Sequence, residues 1–473
     1  MDSPLTSGIR TRRQLLTQAA LVGLTIPMAP ALAACATGGD DDAGTGNEGT
    51  KSATNPFGVK EDAALDVVIF KGGYGDDYAK AHEALYKQKY PKANVSHQGI
   101  QKISEAVQPR FNAGNPPDVI DDSGAGQIKL DTLIADGQLA ELTPLLDAPS
   151  FDDPAKKVRD MLQPGTVEAG TFNGKVYALN YGFTVWGVWY SSSLFAKHGW
   201  VYPKTWDEFL TLCGTIKAAG IAPWVHQGKY PYYMMIPIMD MVAMNGGLDV
   251  QKKIDNLEPN AWKDPAVKQA VEGIYELVAK GYCLPGTEGM THTESQTSWN
   301  QGKAAFIPCG TWLENEQKAQ TPAGFDMVVA PMPAMSGAKL PFGAVRAGAG
   351  EPFVVPEKAR NKAGGLEFLR IMCSKAGGQK FAETTSSLSV VKDSAQGVAS
   401  TGVKSTVDVF NGAGKNVFSW RYLDWYSALA ADAENATGEL MANRIKPAEW
   451  ITRVQASADK VAGDSAVKKY KRD

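Results

Sequence analysis

The sequence is poor in histidine, in unbalanced charge and in catalytic motifs. Its 48 basic and 51 acidic residues give a net charge of −3, which provides no basis for nucleic-acid binding. The five histidines, at positions 82, 97, 198, 226 and 292, form no metal-binding spacing such as H-E-x-x-H. No G-x-S-x-G motif occurs either. The sequence therefore gives no reason to expect a metal, a cofactor or an enzyme.

Cysteine is also scarce. Beyond Cys35 the chain contains only Cys213, Cys283, Cys309 and Cys373, and no two of them have C-x-x-C spacing. Outside the cytoplasm these four could form two disulfides, in any of three connectivities. Cys213 lies on the apolar face of a predicted helix, where buried thiols are common. We therefore expect one disulfide at most.

No apolar run is long and continuous enough to span a membrane. The run from Ala19 to Ala34 is short, and Pro27 and Pro30 interrupt it. It follows the basic stretch TRRQLL, which resembles a twin-arginine export signal. Residues 1–34 are therefore predicted to be a signal peptide.

The apolar run ends in LAAC, which resembles a bacterial lipobox. In such signals the cysteine becomes the lipid-carrying first residue, so the resemblance implies lipidation at Cys35. The lipid would be the only contact with the membrane, on its extracellular face. Residues 35–60 are rich in Gly, Thr and Asp and carry one bulky apolar residue, Phe57. They are predicted to form a disordered tether.

The rest of the chain, about 415 residues, is long enough for two lobes with separate cores. Short apolar runs alternate with amphipathic segments, which is typical of a parallel α/β fold. Predicted strands are LDVVIF (65–70), ANVSH (93–97), PDVID (117–121), KAAFIP (303–308) and FDMVVAP (325–331). The clearest helix is TWDEFLTLCGTIKAAG (205–220), in which Thr205 and Glu208 form a capping box.

Five segments, in this order, resemble the extracellular solute-binding proteins of carbohydrate ABC transporters. They are NPPDVID (115–121), GKVYALNYGFTVWGVWYSSSLFAKHGW (174–200), PKTWDEFL (203–210), WNQGKAAFIPCGTW (299–312) and DWYSAL (424–429). A further segment is similar to the actinobacterial lipoproteins that bind N-acetylglucosamine and diacetylchitobiose. It is VVIFKGGYGDDYAKAHEALYKQKYP (67–91).

The resemblance implies a two-lobed periplasmic-binding-protein-like (type II) α/β fold, with crossing hinge segments and a ligand cleft between the lobes. The first lobe would comprise residues 61–178 and about 335–395. The second would comprise residues 179–334 and about 396–473. Such a protein is expected to be a monomer that carries a neutral amino sugar or chitin oligosaccharide to ABC permease subunits. Lobe closure on the sugar is the motion expected of the family.

Aromatic stacking surfaces for the sugar are expected mainly from the later part of the chain, since all eleven tryptophans fall at or after Trp186. A pyranose ring needs an aromatic plane for its C–H face and polar groups for its hydroxyl edge. By the resemblance, Trp425 and Trp312 occupy stacking positions. Trp186, closer to the hinge than Trp189, is a third candidate. Trp420 remains open between ligand and core.

Two tyrosines in YPYYMM (230–235), Tyr232 and Tyr233, match a family segment that lines the sugar site, and one of them is expected to be buried structure. Helical spacing assigns Tyr426 to the core. In the loop GGYGDD (72–77), Tyr74 and Asp76 are candidates to meet sugar hydroxyls, whereas Asp77 is expected to cap the following helix.

Polar candidates lie at a strand end and on the returning segment. Asp121 and Asp122 leave PDVI at its carboxyl end, where open α/β sheets bind ligands, although each could equally cap a helix or face solvent. Arg346 and Glu351 lie in GAVRAGAGEPFVV (343–355). They could contact the sugar, but pairing with each other is the expected outcome.

Three alternatives remain open. The ligand could be another oligosaccharide of the maltodextrin, cellobiose or xylobiose type. The protein could be a sensor domain with the same cleft. It could also be a secreted glycoside hydrolase, but Asp121 and Asp122 would make a poor acid–base pair because adjacent strand residues point to opposite faces.

Overall fold

The computed structural model describes residues 49–124, 126–396 and 398–472. The predicted signal peptide, the lipidation site Cys35 and the tether up to residue 48 lie outside the described residues. Within the described ranges, no helix combines the length and the apolarity that crossing a membrane requires.

The first lobe is built on a parallel sheet whose three strands overlap the predicted strands LDVVIF, ANVSH and PDVID. Strand β1 (Leu65–Phe70) pairs in parallel with β2 (Val95–Ile100) and with β3 (Val119–Asp121). The remaining elements of this part of the chain are α1 (Asp77–Lys89), α2 (Ile103–Asn112), α3 (Leu130–Ala135), α4 (Thr143–Asp147), α5 (Thr166–Ala169) and the small hairpin β4 (Thr171–Phe172) and β5 (Lys175–Val176). The strand–helix alternation predicted for this lobe is confirmed.

One long strand carries the chain into the second lobe and another carries it back. Strand β6 (Leu179–Ser191) has 13 residues. The second lobe then contributes β7 (Ala222–Trp224), β8 (Ala304–Gly310) and β9 (Met327–Ala330), and the chain returns in β10 (Val345–Val354). Strands β6 and β10 are antiparallel neighbours, and the sheet order is β2-β1-β3-β10-β6-β8-β7. These two strands are the crossing segments that the sequence predicts.

The helices and short strands that follow β6 cover both lobes. In chain order they are α6 (Ser192–His198), α7 (Trp206–Ala218), α8 (Tyr232–Asp255), α9 (Pro265–Ala279), α10 (His292–Asn300), α11 (Leu313–Gln317), α12 (Lys362–Met372), α13 (Lys375–Thr385), β11 (Leu388–Ser389), α14 (Thr401–Ala413), β12 (Val417–Phe418), α15 (Tyr422–Trp425), α16 (Ser427–Met441) and α17 (Pro447–Gly463). Helices α12 and α13 pack against α1 of the first lobe, and α16 and α17 pack against α8 and α9 of the second. Helix α7 begins with the predicted capping box of Thr205 and Glu208.

Residues 49–60 are not a free linker, which corrects part of the predicted tether. Phe57 and Val59 are 8% and 4% exposed and belong to the core of the first lobe. The carbonyl of Thr54 accepts hydrogen bonds from Lys89 and, at 3.3 Å, from Arg370. Sequence reasoning failed here because a lone Phe in polar surroundings shows no local sign of the pocket that receives it.

The four cysteines of the described chain, Cys213, Cys283, Cys309 and Cys373, are all free. Cys213 is buried on the inner face of α7, as its position in the apolar stripe predicts. No disulfide therefore supports the fold in the part of the chain that the structure describes, and stability comes from the apolar cores on either side of the crossing strands.

Candidate ligand-binding site

An aromatic cluster lies where β6 enters the second lobe. Trp186 meets Trp312 at a centroid distance of 4.8 Å, Tyr233 at 5.9 Å and Tyr232 at 6.2 Å, with interplanar angles of 87°, 61° and 82°. Edge-to-face contacts of this kind fix the orientations of the rings. Four of the aromatic residues predicted for the site are therefore brought together.

Strand pairing explains why Trp186 and Trp312 meet. Trp186 is the register partner of Gly310 on β8, and Trp312 follows two residues later, immediately before α11. A Cβ at Gly310 would lie 2.2 Å from the Trp312 ring, so only glycine lets the indole fold back over the strand. Trp186 and Trp312 are half-buried, whereas Trp189 is fully buried and donates to the Cys309 carbonyl at 3.1 Å. The preference for Trp186 over Trp189 agrees with these positions.

The two tyrosines at the start of α8 differ in exposure, and one of them is buried as expected. Tyr233 is buried, and Tyr232 is half-buried beside it, with ring centroids 4.2 Å apart. Both rings contact the edge of Trp186 from the same helical turn. Helix α8 thus supplies one wall of the aromatic cluster.

A buried acid on the same wall was missed by sequence reasoning. Asp240 lies about two turns after Tyr232 on α8, on the same helix face. It is 6% exposed, and its Oδ1 has no hydrogen-bond partner. Burial raises the pKa of Asp240 to about 7, against the opposing charge of Arg346. The available signal was a single acidic residue within the apolar stretch YYMMIPIMDMVAM.

Arg346 on β10 completes this side of the cluster. Its guanidinium carbon lies 5.6 Å from the centroid of the Trp186 ring, in cation–π geometry. Its Nη1 is buried and has no hydrogen-bond partner. The expected pairing with Glu351 is wrong: among the described residues the two make no ion pair, because each contacts a different lobe. Arg346 faces Trp186 and Glu351 faces Asp121.

A carboxyl pair, the buried Asp121 and the half-buried Glu351, lies on the side of the first lobe. Asp121, at the end of β3, accepts hydrogen bonds from the Tyr78 hydroxyl at 2.7 Å and from the Ser123 hydroxyl. The Glu351 carboxyl lies within hydrogen-bonding reach of Asp121, and Glu351 has a left-handed backbone with φ of 58°. Burial, and then the mutual charge, raises the pKa of Glu351, and burial raises the pKa of Asp121. The pair therefore retains a proton, and Asp121 is already engaged by protein donors.

Asp122 points away from this pair, as strand alternation requires. Its Oδ1 accepts the amide of Ile128 at 2.8 Å, and its side chain is buried. Asp122 therefore neither caps a helix nor faces solvent, because Ile128 lies in the loop before α3 and the side chain is 1% exposed. Its Oδ2 is buried and has no partner.

The loop GGYGDD of the first lobe touches the second lobe. The Tyr74 hydroxyl lies 3.3 Å from Thr184 Oγ1 on β6, and its ring meets Trp312 edge-on at 6.4 Å. Asn315 Nδ2 on α11 donates to the Gly73 carbonyl at 2.8 Å. Tyr74 thus lies at the junction of the lobes, as predicted.

Asp76 turns back onto its own lobe instead of offering its carboxylate to a ligand. It pairs with Lys71, Lys80 and His97 at 3.2, 3.1 and 3.2 Å. Burial alone would raise the pKa of Asp76, but hydrogen bonds from these three groups lower it to about 2. Asp77 is the first residue of α1 and is not its cap, which corrects that expectation.

The late aromatic segment lies partly outside the cluster. Trp420 is 3% exposed in the core of the second lobe, so the core alternative applies to it, although its Nε1 lacks a partner. Tyr426 is buried, as predicted. Trp425 is half-buried, and one face of its ring stacks on Tyr470 at 5.4 Å and 22°. The predicted stacking face of Trp425 is therefore shared with the C-terminal tail.

The described residues contain no cluster of three or more His, Cys, Asp or Glu side chains that could hold a metal ion. The site instead combines half-buried aromatic rings with a few buried donors and acceptors. Such a lining suits a neutral polar ligand with one apolar face.

The two α/β lobes, their crossing strands and the cleft between them define a type II periplasmic-binding fold. The chain belongs to the bacterial extracellular solute-binding protein family, whose model matches residues 71–379. It is 36% identical over 436 residues to the diacetylchitobiose binding protein NgcE of Streptomyces coelicolor. That alignment covers 91% of this chain and 92% of the relative.

Solved structures show the same fold. The apo form of RafE from Streptococcus pneumoniae superposes with a TM-score of 0.67 and 18% identity, over 85% of this chain and 99% of that one. A chitin oligosaccharide binding protein gives a TM-score of 0.64 and 20% identity, over 81% and 93%. At these identities the likeness concerns the fold.

Proposed function

We propose that this protein captures N-acetylglucosamine or diacetylchitobiose outside the cell and delivers the sugar, as a monomer, to the permease subunits of an ABC importer. The observation that carries the proposal is the cluster of Trp186, Trp312 and Tyr232 beside Arg346 and Asp240 at the lobe junction. Aromatic planes suit the apolar face of a pyranose, and buried unpaired donors and acceptors suit its polar edge. The relative that binds diacetylchitobiose covers nearly the whole chain.

Binding without turnover is part of the proposal. Glycosidases hold their two carboxyl groups about 5–9.5 Å apart, on either side of the scissile bond. Burial, and then the charge of Asp121, raises the pKa of Glu351, which makes the two carboxyls neighbours, and Asp121 is already engaged by the hydroxyls of Tyr78 and Ser123. This geometry favours a binding protein over the glycoside hydrolase alternative.

Calorimetric titration of the purified protein with N-acetylglucosamine, diacetylchitobiose, maltose, cellobiose and xylobiose tests the proposal. We expect tight binding of at least one of the two N-acetylated sugars, weaker binding of the others, and no hydrolysis product by chromatography. Preference for maltose or cellobiose would contradict the assigned ligand, and released monosaccharide would support an enzyme.

We also propose that Cys35 carries a lipid that keeps the protein at the extracellular face of the membrane. The lipobox-like LAAC supports this, together with the extracellular family to which the chain belongs. Labelling with a radioactive fatty acid should mark the protein, and Cys35→Ser should abolish the label. Cys283→Ser is the matched control, and loss of label there would contradict the assignment.

A further inference from the structure

Asp240 and Arg346 are oppositely charged neighbours that do not bond to each other. The charge of Arg346 acts on Asp240 and opposes the rise of its pKa, yet no hydrogen bond or ion pair joins the two side chains within the described chain. Each also keeps a buried atom without a partner, Oδ1 of Asp240 and Nη1 of Arg346. Asp240 supplies an acceptor and Arg346 supplies a donor, and the two do not bond to each other.

Such an arrangement is costly if it serves only the fold. A buried donor or acceptor that loses water without gaining a partner destabilises the protein, and a flexible guanidinium normally closes on a nearby carboxylate. Here Arg346 lies instead over the ring of Trp186, and Asp240 is fixed on the α8 face that carries Tyr232. Arg346 thus belongs to the wall of the aromatic cluster, and Asp240 lies on the helix that begins with the two tyrosines of that cluster.

We propose that Asp240 and Arg346 together recognise the acetamido group of the bound sugar: Asp240 accepts its N–H, and Arg346 donates to its carbonyl oxygen. The inference rests on the proposed function and identifies the side chains that would make the site selective for an N-acetylated sugar. An amide carries one donor and one acceptor on opposite sides, which matches two partners that do not reach each other. A hydroxyl at the same carbon is smaller and would leave one of the buried groups unpaired.

Protonation provides a second signature. Burial raises the pKa of Asp240 to about 7, so the free side chain is largely protonated at pH 6. An N–H donor favours the carboxylate, so binding should lower this pKa and release a proton at pH 6, but little at pH 8. Among the described residues, Asp240 interacts electrostatically with Arg346 on β10 and Tyr422 on α15, and Arg346 also interacts with Asp424 on α15. Burial raises the pKa of Tyr422, Arg346 lowers it, and Asp255, Glu434 and Asp240 raise it further.

The test compares diacetylchitobiose with cellobiose, which has hydroxyls in place of the acetamido groups. Asp240→Asn and Arg346→Met remove one charge each while keeping approximate size. We expect each to reduce the preference for diacetylchitobiose over cellobiose about 10- to 100-fold, mainly by weakening the N-acetylated sugar. The matched control is Asp255→Asn. Asp255 is buried on the same helix, and its oxygens accept hydrogen bonds from Arg421, Tyr422 and Arg472. The sugar preference of this variant should be unchanged.

An unchanged preference in a folded Asp240→Asn protein would overturn the inference and leave the proposed function standing. If that variant does not fold, the wild-type protein decides. Calorimetry at pH 6 in buffers of different ionisation enthalpy should show proton release with diacetylchitobiose and not with cellobiose, and absence of release overturns the assignment. If the wild-type protein binds no N-acetylated sugar, both proposals are overturned. This result differs from an unchanged preference in a variant, which overturns only the inference about Asp240 and Arg346.

Discussion

Asn315 of the second lobe donates a 2.8 Å hydrogen bond to the backbone carbonyl of Gly73 in the first lobe. Next to it, a Cβ at Gly73 would lie 2.9 Å from Trp312, so the glycine backbone lies against the indole. The loop that follows β1 therefore touches both the aromatic cluster and the helix behind it. A sugar held by Trp312 would be bound next to the contact that joins the lobes.

Removing the hydrogen bond between Asn315 and Gly73 should lower the affinity for the sugar more than it lowers the stability of the fold. Asn315→Ala deletes one interlobe hydrogen bond, worth about 1 kcal/mol, and closure loses that stabilisation. We predict a roughly three- to tenfold loss of sugar affinity by calorimetry, with little change in melting temperature. Gln320→Ala is the control, because its side-chain oxygen accepts from Thr297 within the second lobe. Equal losses in both variants would contradict a role in closure.

Two of the candidate tryptophans, Trp186 and Trp425, should contribute differently to sugar binding. Trp186→Ala removes the ring at the centre of the cluster, and we predict at least a tenfold loss of sugar affinity, since desolvated aromatic anchors dominate binding energy. Trp425→Ala removes a ring whose face is covered by Tyr470, and we predict less than about a threefold loss. Fluorescence titration of both variants checks this. The reverse order would restore Trp425 as the main stacking residue.

Three carboxyl groups should each make the folded protein less stable as pH rises. Burial raises the pKa values of Asp121 and Glu351, and raises that of Asp122 to about 7. In the unfolded chain these carboxyls lose their protons above about pH 4, whereas in the folded protein they keep them. Each group therefore costs up to about 1.4 kcal/mol of stability per pH unit between pH 4 and 7.

The buried His82 and His226, whose pKa values burial lowers to about 4, act in the opposite direction over the same range. Thermal melts between pH 4 and 7 should therefore show that the wild type loses more stability, or gains less, than Asp121→Asn as pH rises. The exposed Asp77→Asn should keep the wild-type slope.

The segment before β1 should contribute to stability. Phe57 fills the first core, so Phe57→Ala should destabilise the protein by about 2–4 kcal/mol in urea unfolding. Leu248, half-exposed on the second lobe, is the control, and Leu248→Ala should cost less than about 0.5 kcal/mol. A neutral Phe57→Ala would mean that residues 49–60 do not stabilise the fold.

Much of the fold could be predicted because its signals are local. The buried run LDVVIF becomes β1, and the capping box of Thr205 and Glu208 starts α7, since hydrophobic period and caps act over a few residues. The positions of Trp186 and Trp312 followed from the resemblance. Their contact depends on strand register, which the sequence does not display.

The parts that could not be predicted depend on distant partners. One face of Trp425 is covered by Tyr470 of the C-terminal tail. Phe57 is buried against residues of the first lobe that come later in the sequence. Glu351 adopts a left-handed backbone that turns it towards Asp121 and away from Arg346. The residues next to each of these positions in the sequence give no sign of the contact. Composition and periodicity therefore do not predict which residue each side chain meets.

A crystal structure of the complex with diacetylchitobiose tests the central claim most directly. The account predicts electron density for the sugar at the lobe junction, with a pyranose ring against Trp186 or Trp312 and an acetamido group between Asp240 and Arg346. Sugar bound elsewhere, such as at Trp425 alone, or a saturated protein whose aromatic cluster makes no contact with it, would contradict the account.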